Sequence, residues 1–304
     1  MMPLTFSSEV AQARAAGQPI VALESTIITH GMPYPQNLEV AGQVEDDVRN
    51  AGATPATIAV IDGALHIGLE PAQLVSLAQA KGVAKLSRAD MAVCIATGGT
   101  GATTVAATMI AANLAGIKVF ATGGIGGVHK GAEESFDISA DLLELGQTPV
   151  TVVAAGAKAI LDVAKTLEVL ETQGVPVITV GQDSFPAFWS ASSSLKSPLR
   201  LDDPSAIAKA HRARADLGLP GGQLIANPIP KDAEIPAKDM APVIAQAQRD
   251  AHAHGIVGKA VTPYLLQRIF ELTKGRSLTA NIALVRNNAR LGAQIAIALA
   301  ADAS

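Results

Sequence analysis

The feature that most constrains the fold is an alternation of short apolar runs with helical patterns. Seven runs rich in Val, Ile, Leu and Ala have the length and composition of buried strands: 19–24, 57–62, 91–96, 117–122, 150–155, 175–180 and 222–227. Helical patterns fall between most of them, at 35–51, 71–80, 102–115, 158–173, 204–217 and 238–254, with a short one at 141–146. Strands that alternate with helices form βαβ units. The sequence therefore predicts an α/β fold, with a mostly parallel sheet covered by helices on both faces.

Two local signals refine this organisation. The Asp62-Gly63 pair suggests a small antiparallel hairpin, because both residues accept the positive φ angles of a tight turn. The last apolar pattern predicts one long helix from Ser277 to Ala300, with Ser277 as a possible cap. The chain has no repeat, charge run or low-complexity linker, so we expect a single domain over residues 1–304.

Composition excludes several classes of function. A formal charge of -4 and an aromatic content of 3% argue against a nucleic-acid binder, which needs a basic surface and stacking side chains. Cys94 is the only cysteine, so no internal disulfide forms and a reducing compartment fits; within its run it is expected to be a small buried side chain.

The N-terminal segment lacks a basic region followed by an apolar one, so the sequence predicts no signal peptide and a cytoplasmic location. Residues 91–117 carry no charge, but TGGTGATT interrupts them, which favours strand, glycine turn and helix over a membrane span.

Polar residues and glycines follow several of the predicted strands. Glu24 ends the first run, TGGTGATT follows 91–96, GGIGGVHKG follows 117–122, and AGAK follows 150–155. In open α/β sheets, ligands bind beyond the carboxyl ends of the strands. The sequence therefore predicts an active site at this edge of the sheet.

The two glycine loops could bring backbone amides close to an anion. Residues 97–104 precede a predicted helix and fit a phosphate cradle, although tight packing turns explain either loop equally well. Gly99-Thr100-Gly101 is followed by Thr104, and Gly124-Ile125-Gly126 by His129, so neither loop matches a dinucleotide-binding fingerprint.

The FDISADL segment carries two carboxylates, Asp137 and Asp141, four residues apart with Ser139 between them. If the segment is helical, the carboxylates share one face and offer hard oxygen ligands suited to manganese or magnesium. The alternative is that Asp137 or Ser139 caps a helix.

Lys158 stands alone in an apolar neighbourhood, at the start of the predicted helix 158–173. The helix dipole, partial burial and a nearby metal ion would all disfavour its charged form, and a neutral amine is a nucleophile that forms a Schiff base with a sugar carbonyl. A surface lysine that reaches solvent is the alternative. Glu24 could stay protonated near neutrality if desolvated, or could form an ion pair instead. His30, His66 and His129 are interpreted as loop or packing histidines.

The least regular stretch, residues 183–204, holds the only tryptophan, Trp189. Long loops of this kind are often lids or binding loops, and a surface excursion is the alternative.

Taken together, these segments resemble one family, the pseudouridine-5'-phosphate glycosidases, also called the indigoidine synthase A-like family. The resemblance covers nearly the whole chain, in ALESTIITHGMPYPQN (22–37), AKLSRAD (84–90), TGGTGATTV (97–105), TGGIGGVHKGAEESFDISADL (122–142), AGAKAILD (155–162), DSFPAFWS (183–190) and residues 258–296.

The resemblance implies an α/β/α sandwich, a homotrimer, and reversible cleavage of the carbon–carbon glycosidic bond of pseudouridine 5'-phosphate to uracil and ribose 5-phosphate. It implies that Lys158 is the covalent residue, Glu24 the proton donor and Asp137 the ligand of a Mn²⁺ ion. It implies that Asn281 meets the uracil. The remaining substrate-binding residues expected from it are Lys85, Val105, Thr122, His129, Ser139, Ala140 and Asp141.

The residues leave two other functions open. A Schiff-base aldolase or lyase acting on another sugar phosphate or C-nucleotide would share the lysine, the cradle and the fold. A non-catalytic nucleotide-binding protein would bind tightly without turnover. In either enzyme the partner is a small molecule, and neither a nucleic acid nor a membrane is expected.

Overall fold

The computed structural model describes residues 4–256 and 258–301, and its strands form one central sheet. The strands are β1 Leu4–Phe6, β2 Ile20–Leu23, β3 Thr54–Ile61, β4 Ala64–Ile67, β5 Ala84–Leu86, β6 Gly101–Thr103, β7 Val119–Ala121, β8 Thr151–Ala154, β9 Val177–Thr179, β10 Leu199–Arg200 and β11 Gln223–Ala226. Their order is β1-β4-β3-β2-β7-β8-β11-β9-β10, with β6 paired to β3 and β5 paired to β6. Only β3 pairs antiparallel, with β4 and with β6, so within the described ranges the sheet is mostly parallel, as predicted.

Helices cover this sheet. They are α1 Ser8–Ala15, α2 Thr26–Thr29, α3 Gln36–Asn50, α4 Pro71–Gln79, α5 Arg88–Ala96, α6 Val105–Leu114, α7 Ala132–Ser135, α8 Ala140–Gln147, α9 Val163–Thr172, α10 Pro204–Asp216, α11 Ala237–Ala253, α12 Val261–Leu272 and α13 Arg276–Ala301, with a 3₁₀ turn at Gly258–Ala260. Several begin where the sequence supplies a capping side chain: Ser7, Ser139, Asp162 and Asp203 each accept a backbone N–H of the first turn.

The alternation of side chains in the central strands separates two helical layers. Gly292 of α13 lies so close to the sheet that a Cβ there would meet Val21, Val119 and Ala121 at 3.2–3.7 Å. Phe120 alternates with these side chains and is fully buried on the opposite face. α3 and α10 both contact α13 on the first face, and α6, α8 and α9 form the second layer. The predicted α/β/α sandwich is confirmed.

The strand predicted at 91–96 is wrong, because this run lies in α5. Ser87 and Asp90 form a reciprocal capping box, in which the Ser87 N–H donates to Asp90 Oδ2 at 2.9 Å, and this starts a helix. Met91 and Cys94 then fall on its buried side, so the burial expected for Cys94 is confirmed. The strand of this region is β6, which consists of Gly101–Thr103 and which the glycine-rich pattern concealed. The other six predicted strands are confirmed, with shifted ends.

The turn and the long helix at the C-terminus are confirmed in outline. Asp62 and Gly63 join β3 to β4 with φ of 49° and 76°, the positive values of a type I′ hairpin turn. The predicted cap at Ser277 is wrong: α13 starts at Arg276, and the Ser277 hydroxyl pairs with that of Thr273 at 3.0 Å. No helix in residues 4–256 and 258–301 is long and apolar enough to cross a membrane.

Candidate active site

Glu24 lies at the carboxyl end of β2, beside the end of β7. One carboxylate oxygen accepts the hydroxyl of Thr26 and the other accepts the hydroxyl of Thr122, the residue that follows β7. Among described residues the carboxylate has no lysine or arginine partner at ion-pair distance, so the ion-pair alternative does not hold there. The two threonines therefore fix the orientation of a half-buried carboxylate.

Lys158 lies beyond the end of β8, and the prediction that it opens a helix is wrong. Helix α9 starts at Val163, where the Asp162 side chain accepts the Lys165 N–H at 3.1 Å. Lys158 instead lies shortly after Gly156, whose φ of 83° turns the chain. The N–H of Lys158 donates to the Ile125 carbonyl at 3.1 Å. The AGAK loop thus pairs with the GGIGG loop beyond the sheet, and this half-buried lysine is not part of the first turn of α9.

Lys85, Lys158 and His129 come together at this edge. Burial lowers the pKa of His129; the charge of Asp137 opposes this, and the positive charges of Lys158 and Lys85 add to it. The pKa of His30 is also lowered, by burial and then by Lys85. The imidazoles are therefore neutral near pH 7, and the positive charge of Lys85 beside them suits a phosphate.

Asp137 and Asp141 do not share a helix face, so that prediction is wrong. Asp137 lies before α8, half-exposed, with Oδ2 3.9 Å from Nδ1 of His129. Ser139 caps α8 by accepting the Asp141 N–H at 3.2 Å, as the alternative interpretation had it, and Ala140 is the first helical residue. The structure therefore separates one accessible carboxylate from one buried one.

The buried carboxylate of Asp141 joins two loops of the site. Its oxygens accept the Ala106 N–H at 3.0 Å and the Gly126 N–H at 2.7 Å. Val105 is the buried first residue of α6, and Ala106 follows it in the first turn. The start of this helix was predicted to cradle a phosphate, but the Asp141 carboxylate binds one of its amides. The neighbouring Thr104 hydroxyl is buried and has no hydrogen-bond partner among the described residues.

The irregular segment 183–204 forms a wall over the loops, so the surface-excursion interpretation is wrong for its aromatic part. A Cβ at Gly124 would lie 2.6 Å from the ring of Phe188, and one at Gly156 would lie 2.9 Å from the ring of Phe185. Phe185, Phe188 and Trp189 are all buried. These glycines thus allow the aromatic segment to pack directly on the two loops that carry Lys158 and His129.

A groove at the opposite edge of the sheet is separate from this site. It encloses about 360 Å³, lies at the amino ends of β9 and β11, and is lined mainly by apolar side chains, including those of Pro176, Leu199 and Leu217. It contains none of the residues predicted to bind substrate or metal.

Comparison with known proteins shows the family of this chain. The sequence model of the family described as indigoidine synthase A like protein matches residues 9–298. The chain belongs to this family. Among its relatives, the pseudouridine-5'-phosphate glycosidase of Roseobacter denitrificans is 81% identical, covering 99% of this chain and 97% of that protein. The pseudouridine-5'-phosphate glycosidase of a Jannaschia species is 72% identical over 98% of this chain and 99% of that protein.

Two solved structures share the fold. The prealnumycin C-glycosynthase AlnA, crystallised with ribulose 5-phosphate, superposes with a TM-score of 0.91 at 40% identity, covering 99% of this chain and 98% of that one. An indigoidine synthase A-like protein from Thermotoga maritima gives a TM-score of 0.89 at 30% identity over 98% of this chain and 97% of that one.

For this member of the indigoidine synthase A-like family, the acidic donors for a metal ion are few. In the described part of the chain no group of three or more His, Cys, Asp or Glu side chains could hold an ion. Asp137 presents a partly exposed carboxylate whose Oδ2 lies 3.9 Å from Nδ1 of His129. One carboxylate completed by waters and substrate oxygens is a donor set that Mg²⁺ and Mn²⁺ accept, so the residues fit a weakly held hydrated ion.

One buried polar residue behind the site was not among the residues predicted from the sequence of this family member. Asn288 of α13 is 0% exposed and hydrogen-bonds to the end of β7. It lies seven residues after Asn281, on the same face of the helix, within a stripe that includes the buried Ala280 and Leu284. The signal available in the sequence was an asparagine that recurs after seven residues on an otherwise apolar face of the predicted helix.

Proposed function

We propose that the chain catalyses reversible cleavage of the carbon–carbon glycosidic bond of pseudouridine 5'-phosphate, giving uracil and ribose 5-phosphate. The observation that carries this proposal is the 81% identity, over 99% of the chain, to a relative named pseudouridine-5'-phosphate glycosidase. The convergence of Glu24, Lys158, Lys85 and His129 at one edge of the sheet supports it.

A C-glycoside needs covalent chemistry because no heteroatom joins sugar and base. In an ordinary glycosidase, paired carboxylates protonate the leaving oxygen and stabilise the sugar cation. Here the Lys158 amine bonds to C1′ while the bond from C1′ to the ring oxygen breaks, and that oxygen takes up a proton. The nitrogen lone pair then forms an iminium as the bond between C1′ and the uracil C5 breaks. Water hydrolyses the iminium and releases ribose 5-phosphate.

Glu24 is the proton donor in this scheme, since the departing C5 carbon must be protonated as its bond to the sugar breaks. The Thr26 and Thr122 hydroxyls hold the carboxylate in one orientation. Because Thr122 hydrogen-bonds to Glu24, it too is expected to contact the uracil base. Asn281, at the edge of the aromatic wall, binds the uracil through its amide.

The phosphate and ribose bind between the lysines and the loop ends. Lys85 supplies positive charge to the phosphate, and the neutral His129 imidazole can hydrogen-bond to it. The end of α8, with Ser139, Ala140 and Asp141, and the start of α6 at Val105 line the sugar. Asp137 would hold a divalent ion, which would supply positive charge next to the substrate oxygens.

The deciding experiment is an assay of free uracil and ribose 5-phosphate with purified protein, Mn²⁺ and pseudouridine 5'-phosphate, using Lys158→Ala as the blank. Uracil formation at a rate far above the blank supports the proposal. Binding without turnover would instead identify a nucleotide-binding protein. No turnover of this nucleotide, together with borohydride trapping of another sugar phosphate, would favour the aldolase or lyase alternative.

A homotrimer is part of the proposal, as the family resemblance implies. Light scattering of the purified protein should then give three times the 31.0 kDa mass of the chain.

A further inference from the structure

Asn288 is a polar side chain placed in the interface between α13 and the sheet. It is 0% exposed, and α13 contacts β2, β7 and β8 along this interface. Its Nδ2 donates to the Thr122 carbonyl at 2.8 Å and lies 3.4 Å from the Gly123 carbonyl. Burying an amide is unfavourable unless its hydrogen bonds are made, so its presence here indicates a specific requirement at the end of β7.

The other end of the same amide is also bound. Asn288 Oδ1 accepts Nδ2 of Asn227, which is buried at the end of β11. The Asn227 N–H in turn donates to the Ala154 carbonyl at 2.8 Å, at the end of β8. Asn288 therefore links the carboxyl ends of three parallel strands, and β8 is the strand that leads to Lys158.

Thr122 connects this buried chain to the site. Its carbonyl accepts Asn288, its N–H donates to the Val153 carbonyl at 2.9 Å, and its hydroxyl donates to Glu24. With the backbone of Thr122 held on both sides, the position of its Cβ is fixed, and the bond to Glu24 selects the rotamer of the hydroxyl. Rigid support of this kind sets the position of a reacting group.

We propose that Asn288 is a positioning residue that orients Glu24 through Thr122 and holds the start of the GGIGG loop. The inference rests on the proposed function for its kinetic readout. It assigns Asn288 no contact with substrate; its effect on turnover passes through the Thr122 hydroxyl and the Glu24 carboxylate.

Two variants separate positioning from bulk packing. Asn288→Ala removes both ends of the link, so kcat should fall by about 100-fold while KM changes by about twofold or less, because a misplaced proton donor affects bond breaking more than binding. Asn227→Ala, which leaves the bond to Thr122, should lower kcat less.

Asn288→Asp adds a pH signature that packing would not produce. When protonated, the introduced carboxyl can donate to the Thr122 carbonyl and accept from Asn227, as the amide does. When ionised, it can no longer donate and brings a negative charge near Glu24. The ratio of its kcat to that of the wild type should therefore fall as pH rises, whereas the ratio for Asn288→Ala should be flat.

The matched control is Asn287→Ala. Asn287 is adjacent on α13 and donates to the Pro228 carbonyl at 3.1 Å, so this variant also removes an amide-to-carbonyl bond, but one not linked to Thr122. Its kcat should stay within about twofold of the wild type. All rates are compared at a temperature well below the Tm of each variant.

Amide hydrogen exchange tests the inference without turnover. Asn288→Ala should speed exchange in residues 122–127, and Asn287→Ala should not. Wild-type kcat and wild-type exchange in Asn288→Ala would overturn the inference. If the wild type itself fails to cleave pseudouridine 5'-phosphate, the proposed function fails, and the exchange experiment still decides whether Asn288 orders the loop.

Discussion

The indole N–H of Trp189 donates to Oδ1 of Asn281 across 2.6 Å and so ties the aromatic wall to α13. The same N–H lies 3.1 Å from the Ser277 carbonyl. Because an indole N–H can only donate, it decides which end of the Asn281 amide faces it. The Nδ2 end is left to donate elsewhere, and the carbonyl oxygens of uracil are acceptors.

Trp189→Phe should therefore weaken uracil binding. The variant keeps an aromatic ring in the wall but leaves Oδ1 of the partly buried Asn281 and the carbonyl of the buried Ser277 without this donor. We expect uracil affinity to fall by about 10-fold and the free energy of unfolding by roughly 1–3 kcal/mol. A double-mutant cycle with Asn281→Ala checks the reason: in that background Trp189→Phe should change uracil affinity little.

Lys158 should be the site of covalent trapping. Borohydride added with ribose 5-phosphate should reduce an iminium at Lys158, and mass spectrometry of peptides locates it. Lys158→Ala should fold normally, since its side chain is only half-buried in a loop, and should lose nearly all turnover. Lys158→Arg should be equally inactive, because a guanidinium stays protonated. A trapped sugar on Lys85, or substantial kcat in either variant, would contradict the covalent role.

The two aspartates should respond differently to substitution. Asp137→Ala should behave like wild-type protein in excess chelator, inactive but with a free energy of unfolding within about 0.5 kcal/mol of the wild type, because the side chain is partly exposed. Manganese should restore only the chelated wild type. Asp141→Ala should unfold more easily by roughly 3 kcal/mol, since the amides of Ala106 and Gly126 lose a charged acceptor. Full wild-type activity in chelator would refute the metal requirement.

The substrate phosphate should be required for turnover. Lys85 and its neighbours can use phosphate binding to position the reacting sugar. We expect kcat/KM for pseudouridine to be lower than for its 5'-phosphate by at least about 100-fold, or about 2.7 kcal/mol. Lys85→Met should lower kcat/KM for the phosphorylated substrate and leave that for pseudouridine nearly unchanged. Equal selectivity in the variant and the wild type would show that Lys85 does not meet the phosphate.

Acidification should destabilise the fold through its histidines. Burial is the largest cause of a lowered pKa at His30, His66, His129 and His211. A folded-state pKa below the unfolded value of 6.5 means that the unfolded chain binds more protons. Stability present above pH 6.5 is therefore lost progressively as pH falls below that value and through the lower folded-state pKa.

Urea unfolding between pH 7.5 and 5 measures this loss. Each partly exposed histidine should contribute less than about 1 kcal/mol per pH unit, because solvent screens it. His211→Gln should flatten the dependence, since it removes a group whose Nδ1 lies 2.9 Å from the Thr151 hydroxyl. His252→Gln, at an exposed position, serves as the control for replacing a histidine.

The sequence pattern was sufficient to predict a helix or strand wherever apolar side chains recur with a regular period. The amphipathic helices α3, α10 and α11 and the strands β2, β8 and β11 lie close to their predicted positions, because the period of buried side chains differs between helix and strand. The same alternation places Glu24 after β2 and Lys158 after β8. A parallel sheet then requires both residues to lie at one edge.

Tertiary structure decided what short segments could not encode. The run 91–96 is uniformly apolar, so the reciprocal cap of Ser87 and Asp90 and packing against neighbours made it a helix. The separation of Asp137 from Asp141 depends on amides of α6 and of the GGIGG loop, which lie 35 and 15 residues away from Asp141 in the chain.

The sequence by itself determined the α/β class, most helices and strands, and the residues that meet at the strand ends, since each leaves a periodic or positional signal. Only the tertiary structure placed Asn288 under Thr122 and Phe188 against Gly124. These contacts join segments that are 166 and about 60 residues apart. Hydrogen bonds and close packing act between atoms in space, and no spacing in the chain records them.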